Sequence, residues 1–268
     1  MKKKMTNKKR IIFLVLVAIG LYVLMTIIRS FSDSLFFARP GRITLLYYSD
    51  VPKIVSIGRS DGVSYELLFA SDKRILVPGG YGRYRIGALQ RLADIEKKPE
   101  LLTRAFSSAL SAQVDYTMTN NAHIPLLDRV YLYFLLFQKN KSDSITLNTR
   151  YVDPANNADY SENSFQKKYK GFFYDKQLRM EGKNISIVYA TYSSAKTLSR
   201  ILEGEGIRVV DISYIPDSKQ QCYIIEHGTR SLTAKYLANM FKCDVREGLV
   251  KGADIQLVLG SRVEREWE

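Results

Sequence analysis

The sequence predicts an α/β protein in which one N-terminal transmembrane helix is followed by two folded domains. Three features predict this arrangement: an uncharged apolar stretch over residues 11–28, a mixture of short strand and helix patterns over residues 41–147, and a regular alternation of both after residue 182. The 268-residue chain is 46% hydrophobic and 12% aromatic, which is enough apolar material for a core and excludes a disordered stalk.

The apolar stretch over residues 11–28 predicts a membrane-spanning helix because it carries no charge and would extend about 27 Å. Six basic residues lie within residues 1–10 and only Arg29 follows closely, which predicts a cytoplasmic basic tail and an extracytoplasmic location for the rest of the chain. A cleaved secretory signal ending near Ser30-Phe31-Ser32 is the alternative, but the apolar region is longer than in most signals. Either interpretation exports the same residues. The predicted location is the cell membrane, with a single-pass signal-anchor.

The net charge of the chain, +13, stays positive after the six charges of the N-terminal tail are removed. A positive exported surface indicates attraction to an anionic partner such as a wall polymer, a lipid headgroup or a diphosphate, although surplus lysine on a solvated surface gives the same total. The ten residues predicted to remain in the cytoplasm contain no nucleic-acid-binding module, which argues against nucleic acid as a partner.

Residues 41–147 are predicted to form the first domain. Turn residues separate short strand patterns, and apolar residues at helical spacing mark three helices. The last of these, PLLDRVYLYFLLF, is too short to span a membrane and is therefore assigned to the core. The predicted strands cover residues 43–48, 53–57, 63–69, 74–77, 113–118 and 144–147, and the predicted helices cover residues 86–98, 99–112 and 125–137.

Residues 148–182 are polar and aperiodic, which predicts a linker that carries one bridging helix over residues 168–180. The pattern then becomes regular over residues 183–262 and predicts a small β-α-β-β-α-β-β sandwich whose strands are covered by helices. The strands of this second domain cover residues 185–190, 207–214, 221–226, 243–246 and 254–259, and its helices cover residues 193–202 and 230–242.

The only two cysteines, Cys222 and Cys243, each begin a predicted strand on the exported side, where a disulfide is permitted. If the two strands are parallel neighbours, the cysteines lie at the same end of the sheet, within reach of each other. Two free thiols are the alternative. The spacing does not resemble a zinc site, and the chain contains only two histidines.

The order of elements over residues 183–262 resembles the LytR C-terminal domain of bacterial cell-envelope proteins. Three stretches carry this resemblance: NISIVYATYSSAKTLSRILEGEGIRVVDI, QQCYIIEHGTRSLTAKYLANMF and GADIQLVLG. One departure concerns the turn after the first strand, which reads YATYSS where that family usually has V-x-N-x-[ST]-G.

The preceding domain resembles a diverged LytR-CpsA-Psr domain in SIGRSDGVSYELLFASDKRILVPGGYGRYRIGALQRL and in PELLTRAFSSALSAQVDYTM. The resemblance implies a phosphotransferase fold that moves a glycan from a polyprenyl diphosphate carrier to peptidoglycan, using Mg²⁺, carboxylates and arginines that clamp the diphosphate. The partners that it implies are an anionic wall polymer, peptidoglycan or a polyprenyl diphosphate lipid.

The family motif P-R-D-x-x-V is matched only in part. Asp72 corresponds to its aspartate, whereas Ser71 and Ala70 replace the arginine and the proline, and Arg85-Ile86-Gly87 replaces K-I-N. The resemblance therefore implies Asp72 as a metal ligand, if Mg²⁺ binding is retained. Asp72 as an ordinary turn residue is the alternative.

The best candidate for diphosphate binding is the glycine-bearing loop GGYGRYR. Its glycines allow a close approach of the backbone to a ligand, and its two arginines flank Tyr84, so that both guanidinium groups point the same way. The alternative is a surface strand whose arginines face water while Tyr84 packs inward. The candidate residues are Gly80, Gly82, Arg83 and Arg85.

Residues 120–170 contain no counterpart of the arginine-rich segment that completes the family's diphosphate clamp. Loss of several converging cations removes much of the stabilisation of a departing diphosphate. The sequence therefore favours an anchored envelope protein of LytR-CpsA-Psr type that binds or organises cell-wall glycan with degenerate transfer chemistry. An active phosphotransferase and a non-catalytic scaffold that recruits partner proteins are the alternatives, and no catalytic residue is assigned.

Overall fold

The computed structural model describes residues 13–22, 25–26, 34, 39, 41–118, 124, 126–139, 144–147, 152–153, 156–216 and 221–268. They form two helix-and-sheet lobes, the N-terminal lobe (residues 41–174) and the C-terminal lobe (residues 175–268), which confirms the predicted mixed α/β class. The predicted domain and linker boundaries themselves stay a prediction.

The N-terminal lobe is built on two sheets. The first has the order β6-β1-β2-β3-β7, in which the central three strands are antiparallel and both edge strands are parallel to their neighbours. The second has the order β5-β4-β9-β8. The strands are β1 (Arg42–Tyr47), β2 (Lys53–Gly58), β3 (Ser64–Leu68), β4 (Arg74–Val77), β5 (Gly82–Arg85), β6 (Tyr116–Met118), β7 (Ser144–Leu147), β8 (Val152–Asp153) and β9 (Asn156–Tyr160).

Helices cover both faces of the first sheet. The helices of this lobe are α1 (Leu89–Glu96), α2 (Glu100–Leu110), α3 (Leu126–Lys139) and α4 (Glu162–Tyr169). Leu46 of β1 faces a core that includes α1, α2 and α4, whereas Ile43 and Leu45 face Leu132 and Leu135 of α3. Because both faces are covered, five of the six residues of β1 are buried, and these include the polar Arg42 and Thr44.

The segment predicted as a polar linker is folded into the N-terminal lobe. Strand β9 pairs with β4, and the fully buried Tyr160 and Phe165 belong to the core of that lobe. The prediction of one bridging helix over residues 168–180 is wrong, because α4 ends at Tyr169 and a second helix begins at Lys176. Aromatic side chains that are spread among lysines hold this segment in place, and their spacing has no clear period.

The C-terminal lobe confirms the predicted order of strands and helices. Its sheet has the order β11-β10-β14-β12-β13, in which β12 is antiparallel to β14 and parallel to β13. Its elements are α5 (Lys176–Glu181), β10 (Asn184–Tyr189), α6 (Tyr192–Gly204), β11 (Arg208–Tyr214), β12 (Tyr223–Glu226), α7 (Leu232–Phe241), β13 (Asp244–Glu247), β14 (Ile255–Val258) and α8 (Ser261–Trp267).

Two features of this lobe concern its last elements. Helix α8 lies beyond the predicted end of the domain and buries Val263 and Trp267 in the core. Because β12 and β13 are parallel neighbours, Cys222 and Cys243 lie at the same end of the sheet, where they form a disulfide with their Cα atoms 5.1 Å apart.

Residues 13–22 and 25–26 are helical, and apolar side chains such as Leu14, Leu16 and Met25 are exposed along this segment. The basic tail over residues 1–10 and the remaining parts of the predicted span over residues 11–28 lie outside the described residues. Among the helices that the structure describes, none combines the length and the apolarity that a membrane crossing requires.

The two lobes pack directly on each other. The Nη2 atom of Arg200 in α6 donates hydrogen bonds to the carbonyl oxygen and the hydroxyl of Ser108 in α2, at 3.1 and 3.0 Å. Near the end of α6, Gly204 lies so close to Ser111 that a Cβ atom would overlap the carbonyl oxygen of Ser111. A glycine is therefore required where the two helices meet.

We expect Gly204→Ala to lower the free energy of unfolding by about 1–3 kcal/mol, because α6 must move away from Ser111 to admit the methyl group. Urea denaturation of the purified chain measures this change. The control is Lys196→Ala, an exposed position on the same helix, which is expected to change stability by less than about 0.5 kcal/mol. Equal stability of both variants would contradict the close approach of the lobes.

Candidate anion-binding cleft

A cleft of about 260 Å³ lies where the loop between β4 and β5 meets the start of α2 and the C-terminal helix α8. It combines cations from both lobes with two carboxylates. Its cationic residues are Lys98, Arg104, Arg262 and Arg265, its acidic residues are Glu100 and Glu266, and Gly79, Tyr81 and Leu101 complete the lining.

The glycine-bearing loop forms one wall of this cleft. Gly79 has a φ of +95°, and its N–H donates to the carbonyl oxygen of Glu268 at 3.0 Å. A Cβ atom at Gly79 would lie 3.3 Å from the ring of Tyr81, so the conformation favours glycine both by its φ and by the limited space. The Tyr81 hydroxyl donates to Glu96 at 2.8 Å, which holds the ring against the cleft, and the Nζ of Lys98 lies 5.9 Å from the ring centre.

Arg104 joins the two lobes at the base of the cleft. Its side chain is only 10% exposed, Nη1 donates to the carbonyl oxygen of Glu266 at 3.0 Å, and Nη2 bonds to Glu100 at 3.1 Å. Its Nε atom is buried without a hydrogen-bond partner. An unsatisfied buried guanidinium N–H is costly.

The remaining cations stand at the rim. Arg262 donates to the carbonyl oxygen of Phe241 at 2.6 Å and pairs with Glu266 at 3.2 Å. Arg265 is exposed, and its Nε donates to the carbonyl oxygen of Ser261 at 3.2 Å. With four cations against two carboxylates, the cleft has an excess positive charge of about two, which suits a phosphate or diphosphate group.

The predicted diphosphate residues lie outside this cleft. Arg83 pairs with Glu162 at 2.9 Å, donates to the carbonyl oxygen of Tyr160 at 2.9 Å and lies 3.9 Å from Asp159. Its guanidinium thus connects β5 to β9 and α4 and is neutralised by acids from the same lobe. Arg85 is exposed at the end of β5.

Gly80 and Gly82 occupy the turn before β5 with φ values of +80° and +76°, and their Cβ positions face open space. Both φ values are in the left-handed region that glycine favours. The structure therefore gives these two glycines a role in the turn. Diphosphate binding by Gly80, Gly82, Arg83 and Arg85 stays a prediction.

Asp72 is the residue that the resemblance implies as a ligand of Mg²⁺. Its side chain is 76% exposed in the turn between β3 and β4, and the Nζ of Lys73 lies 3.8 Å from its carboxylate. Across the described ranges, no group of three or more His, Cys, Asp and Glu residues is placed to hold a metal ion. One exposed carboxylate beside a lysine does not fit a magnesium site, so no step is assigned to a metal.

Several solved structures of TagT, a LytR-CPS2A-psr family protein, are similar to parts of the chain. TagT (YwtF) with bound octaprenyl pyrophosphate lipid is 10% identical, over 48% of this chain and 88% of that one, at a TM-score of 0.32. TagT of B. subtilis is 13% identical, over 49% and 89%, at the same TM-score. TagT bound to LIIa-WTA is 12% identical, over 66% and 79%, at a TM-score of 0.26.

At these identities and TM-scores the similarity decides neither the fold nor the function of this chain. No family model and no curated protein matches it.

Sequence reasoning missed the cations of the cleft. They come from two segments that are far apart in the chain, and α8, which supplies two of them, was not predicted. The available signal was the basic stretch SRVER next to Trp267, in which an aromatic residue follows Val263 at a helical spacing of four. That pattern predicts a short amphipathic helix that docks on the domain.

Proposed function

We propose that this chain is a membrane-anchored extracytoplasmic envelope protein of LytR-CpsA-Psr type, which binds a phosphate-bearing cell-wall glycan or its polyprenyl diphosphate carrier in the cleft between its lobes. The observation that carries this proposal is the convergence of four cations from both lobes beside the glycine-bearing loop. Phosphate groups are bound in proteins by such converging charge-assisted hydrogen bonds.

The anchor is supported by the N-terminal sequence. The stretch over residues 11–28 is apolar throughout, six basic residues lie in residues 1–10, and the helical residues 13–22 expose apolar side chains on all sides. A helix that is apolar on all sides needs an apolar environment. A bilayer supplies that environment and keeps the cleft close to membrane-embedded polyprenyl lipids.

Binding without transfer is favoured over the active phosphotransferase of the alternative. Arg83 is occupied by Glu162 and Tyr160, and Asp72 stands alone in an exposed turn. Transfer of a glycan requires stabilisation of the departing diphosphate by several preorganised cations or a metal ion. The cleft supplies cations for binding, and its two carboxylates pair with Arg104 and Arg262.

We expect the full chain in lipid nanodiscs to bind polyprenyl diphosphate saturably, and Lys98→Ala combined with Arg265→Ala to weaken this binding about 10–100-fold. Both side chains are exposed at the rim of the cleft, so their removal leaves the fold intact. Fluorescence anisotropy of a labelled lipid measures the affinity. Binding is also expected to weaken as salt increases, because the attraction is electrostatic.

The matched control is Arg85→Ala combined with Arg91→Ala, which removes the same charge from exposed positions outside the cleft. The affinity of this control for the lipid is expected to stay within about twofold of that of the unmodified chain. Arg85 and Arg91 lie outside the cleft, so they attract the diphosphate only at long range, where salt screens the attraction. Loss of binding in the control alone would place the diphosphate at β5 instead. Transfer of a glycan to peptidoglycan by the same preparation would support the phosphotransferase alternative.

A further inference from the structure

Helix α3 exposes an apolar stripe on its outer face. Val130, Tyr133, Phe134 and Phe137 are 49%, 69%, 60% and 53% exposed, and their spacing places them on one side of the helix. The other side is buried against the first sheet of the N-terminal lobe. The assignment of this helix to the core is thus correct for one face only, and three large aromatic side chains on the other face are more than half exposed.

The chain itself holds α3 close to the N-terminal apolar stretch. The hydroxyl of Ser34 donates to the buried carboxylate of Asp128, in the first turn of α3, at 2.6 Å. Ser34 lies six positions after Ile28, the last residue of the apolar stretch, and six positions span at most about 22 Å when fully extended. If the apolar stretch is inserted in a bilayer, α3 is confined to the neighbourhood of the membrane surface.

Cationic residues flank the stripe. Arg129 is exposed beside Val130, and Arg59 stacks over Tyr131 with its Cζ 5.1 Å from the ring centre. Lys139 and Lys141 follow Phe137 in the sequence. Aromatic residues on one side of a helix with lysine and arginine next to them are typical of helices that lie in the headgroup region of an anionic membrane.

We propose that α3 lies on the outer leaflet of the membrane and inserts Tyr133, Phe134 and Phe137 among the lipid headgroups, as a second contact beside the N-terminal anchor. This proposal rests on the anchor of the proposed function. Two contacts fix the orientation of the N-terminal lobe relative to the membrane, whereas a single anchor does not. A fixed orientation keeps the cleft at a constant height above the lipid surface.

The test uses the full chain reconstituted into vesicles of phosphatidylglycerol and phosphatidylethanolamine. Phe134→Cys carries an environment-sensitive fluorophore, and only the introduced thiol reacts because the two native cysteines are bonded to each other. The control label is at Met180→Cys, an 84% exposed position on α5. We expect lipids with a quencher in the acyl chain to quench the label at position 134 severalfold more strongly than the label at position 180.

A second variant tests whether the stripe itself causes this contact. Tyr133→Ser combined with Phe137→Ser, in the Phe134→Cys background, is expected to reduce the quenching to the level of position 180. Both side chains are exposed, so an unchanged urea midpoint is expected and shows that the lobe is still folded.

Three other outcomes overturn the proposal. Equal quenching at positions 134 and 180 in a chain that floats with the vesicles leaves the anchor in place but removes the second contact. Energy transfer between labels at position 134 that falls when the chain is diluted in lipid assigns the stripe to a second copy of the chain. A chain that does not float with the vesicles overturns the anchor itself.

Discussion

Arg39→Ala is expected to lower the free energy of unfolding by about 3–5 kcal/mol. Arg39 precedes β1 and is 3% exposed, with its Nε 2.7 Å from Asp115 and its Nη1 2.8 Å from Glu205. Its guanidinium also lies 5.0 Å from the ring centre of Tyr236. Removing the cation leaves the buried carboxyl groups of Asp115 and Glu205 without their positive partner, which is a costly change in a folded chain.

The charge state of Arg39 is held by its partners. Burial alone lowers the pKa of Arg39, but the two carboxylates raise it well above its usual value. The guanidinium therefore stays charged at every pH at which the protein is folded. The full effect of the substitution is expected above pH 7, where Asp115 is mainly ionised.

Urea denaturation of the full chain in detergent measures the loss, and Arg85→Ala serves as an exposed control that is expected to change stability by less than about 0.5 kcal/mol. A triple variant, Arg39→Ala with Asp115→Asn and Glu205→Gln, is expected to regain part of the loss, because its buried groups are neutral. A loss below about 1 kcal/mol in the single variant would contradict a closed, dry ion-pair cluster.

This cluster connects three parts of the chain. Arg39 belongs to the segment before β1, Asp115 lies between α2 and β6 of the N-terminal lobe, and Glu205 follows α6 of the C-terminal lobe. Glu205 also accepts a hydrogen bond from the backbone N–H of Gln113 at 2.7 Å. The lobes are therefore fixed relative to each other, and the cleft between them is preorganised for a ligand.

The C-terminal lobe was the easier part of the fold to predict. Its strands and helices alternate in short, uninterrupted periods, so local pattern alone determines the order of elements. Strand β9 and helix α4 were missed because their evidence is non-local: Arg74 of β4 pairs with Asp159 of β9, far along the chain. A segment whose polar residues are buried in such pairs looks like a polar linker when only the sequence is considered.

The candidate site was predictable only in part. The glycine-bearing loop borders the cleft through Gly79 and Tyr81, whereas the four residues predicted to bind diphosphate do not line it. The direction of its arginines was not predictable, because the acids that neutralise Arg83 come from β9 and α4. Sequence spacing does not reveal which acids of the same chain pair with an arginine.

The free energy of unfolding is expected to fall as the pH rises from about 4 to about 7, because of Asp115. Burial raises the pKa of Asp115 from 3.8 to about 7, although Arg39 and the backbone N–H of Thr44 favour the charged form. Between these two pKa values the native state holds a proton that the unfolded state has lost. The contribution of Asp115 to the free energy of unfolding is therefore greatest below about pH 4 and is lost as the pH rises to about 7.

The expected loss across this interval is about 4 kcal/mol, at about 1.4 kcal/mol for each pKa unit. Burial also raises the pKa of Glu205, which contributes in the same direction. The measurement is urea denaturation at several pH values between 4.5 and 7.5. Asp115→Asn cannot titrate at this position, so its profile is expected to be flatter, and an identical slope in both proteins would assign the pH dependence to other groups.

The pH dependence also bears on the cleft, because the same cluster fixes the position of the C-terminal lobe. A proton on Asp115 leaves Glu205 as the main anionic partner of Arg39 across the lobe boundary, and this contact is short and buried. Loss of that proton as the pH rises places a second buried negative charge beside Glu205, so the lobe boundary is expected to loosen before the N-terminal lobe unfolds. The rate of amide hydrogen exchange at Gln113 is expected to increase between pH 5 and 7 by more than the intrinsic pH dependence of exchange predicts. A protection factor that stays constant over this range would contradict early loosening of the lobe boundary.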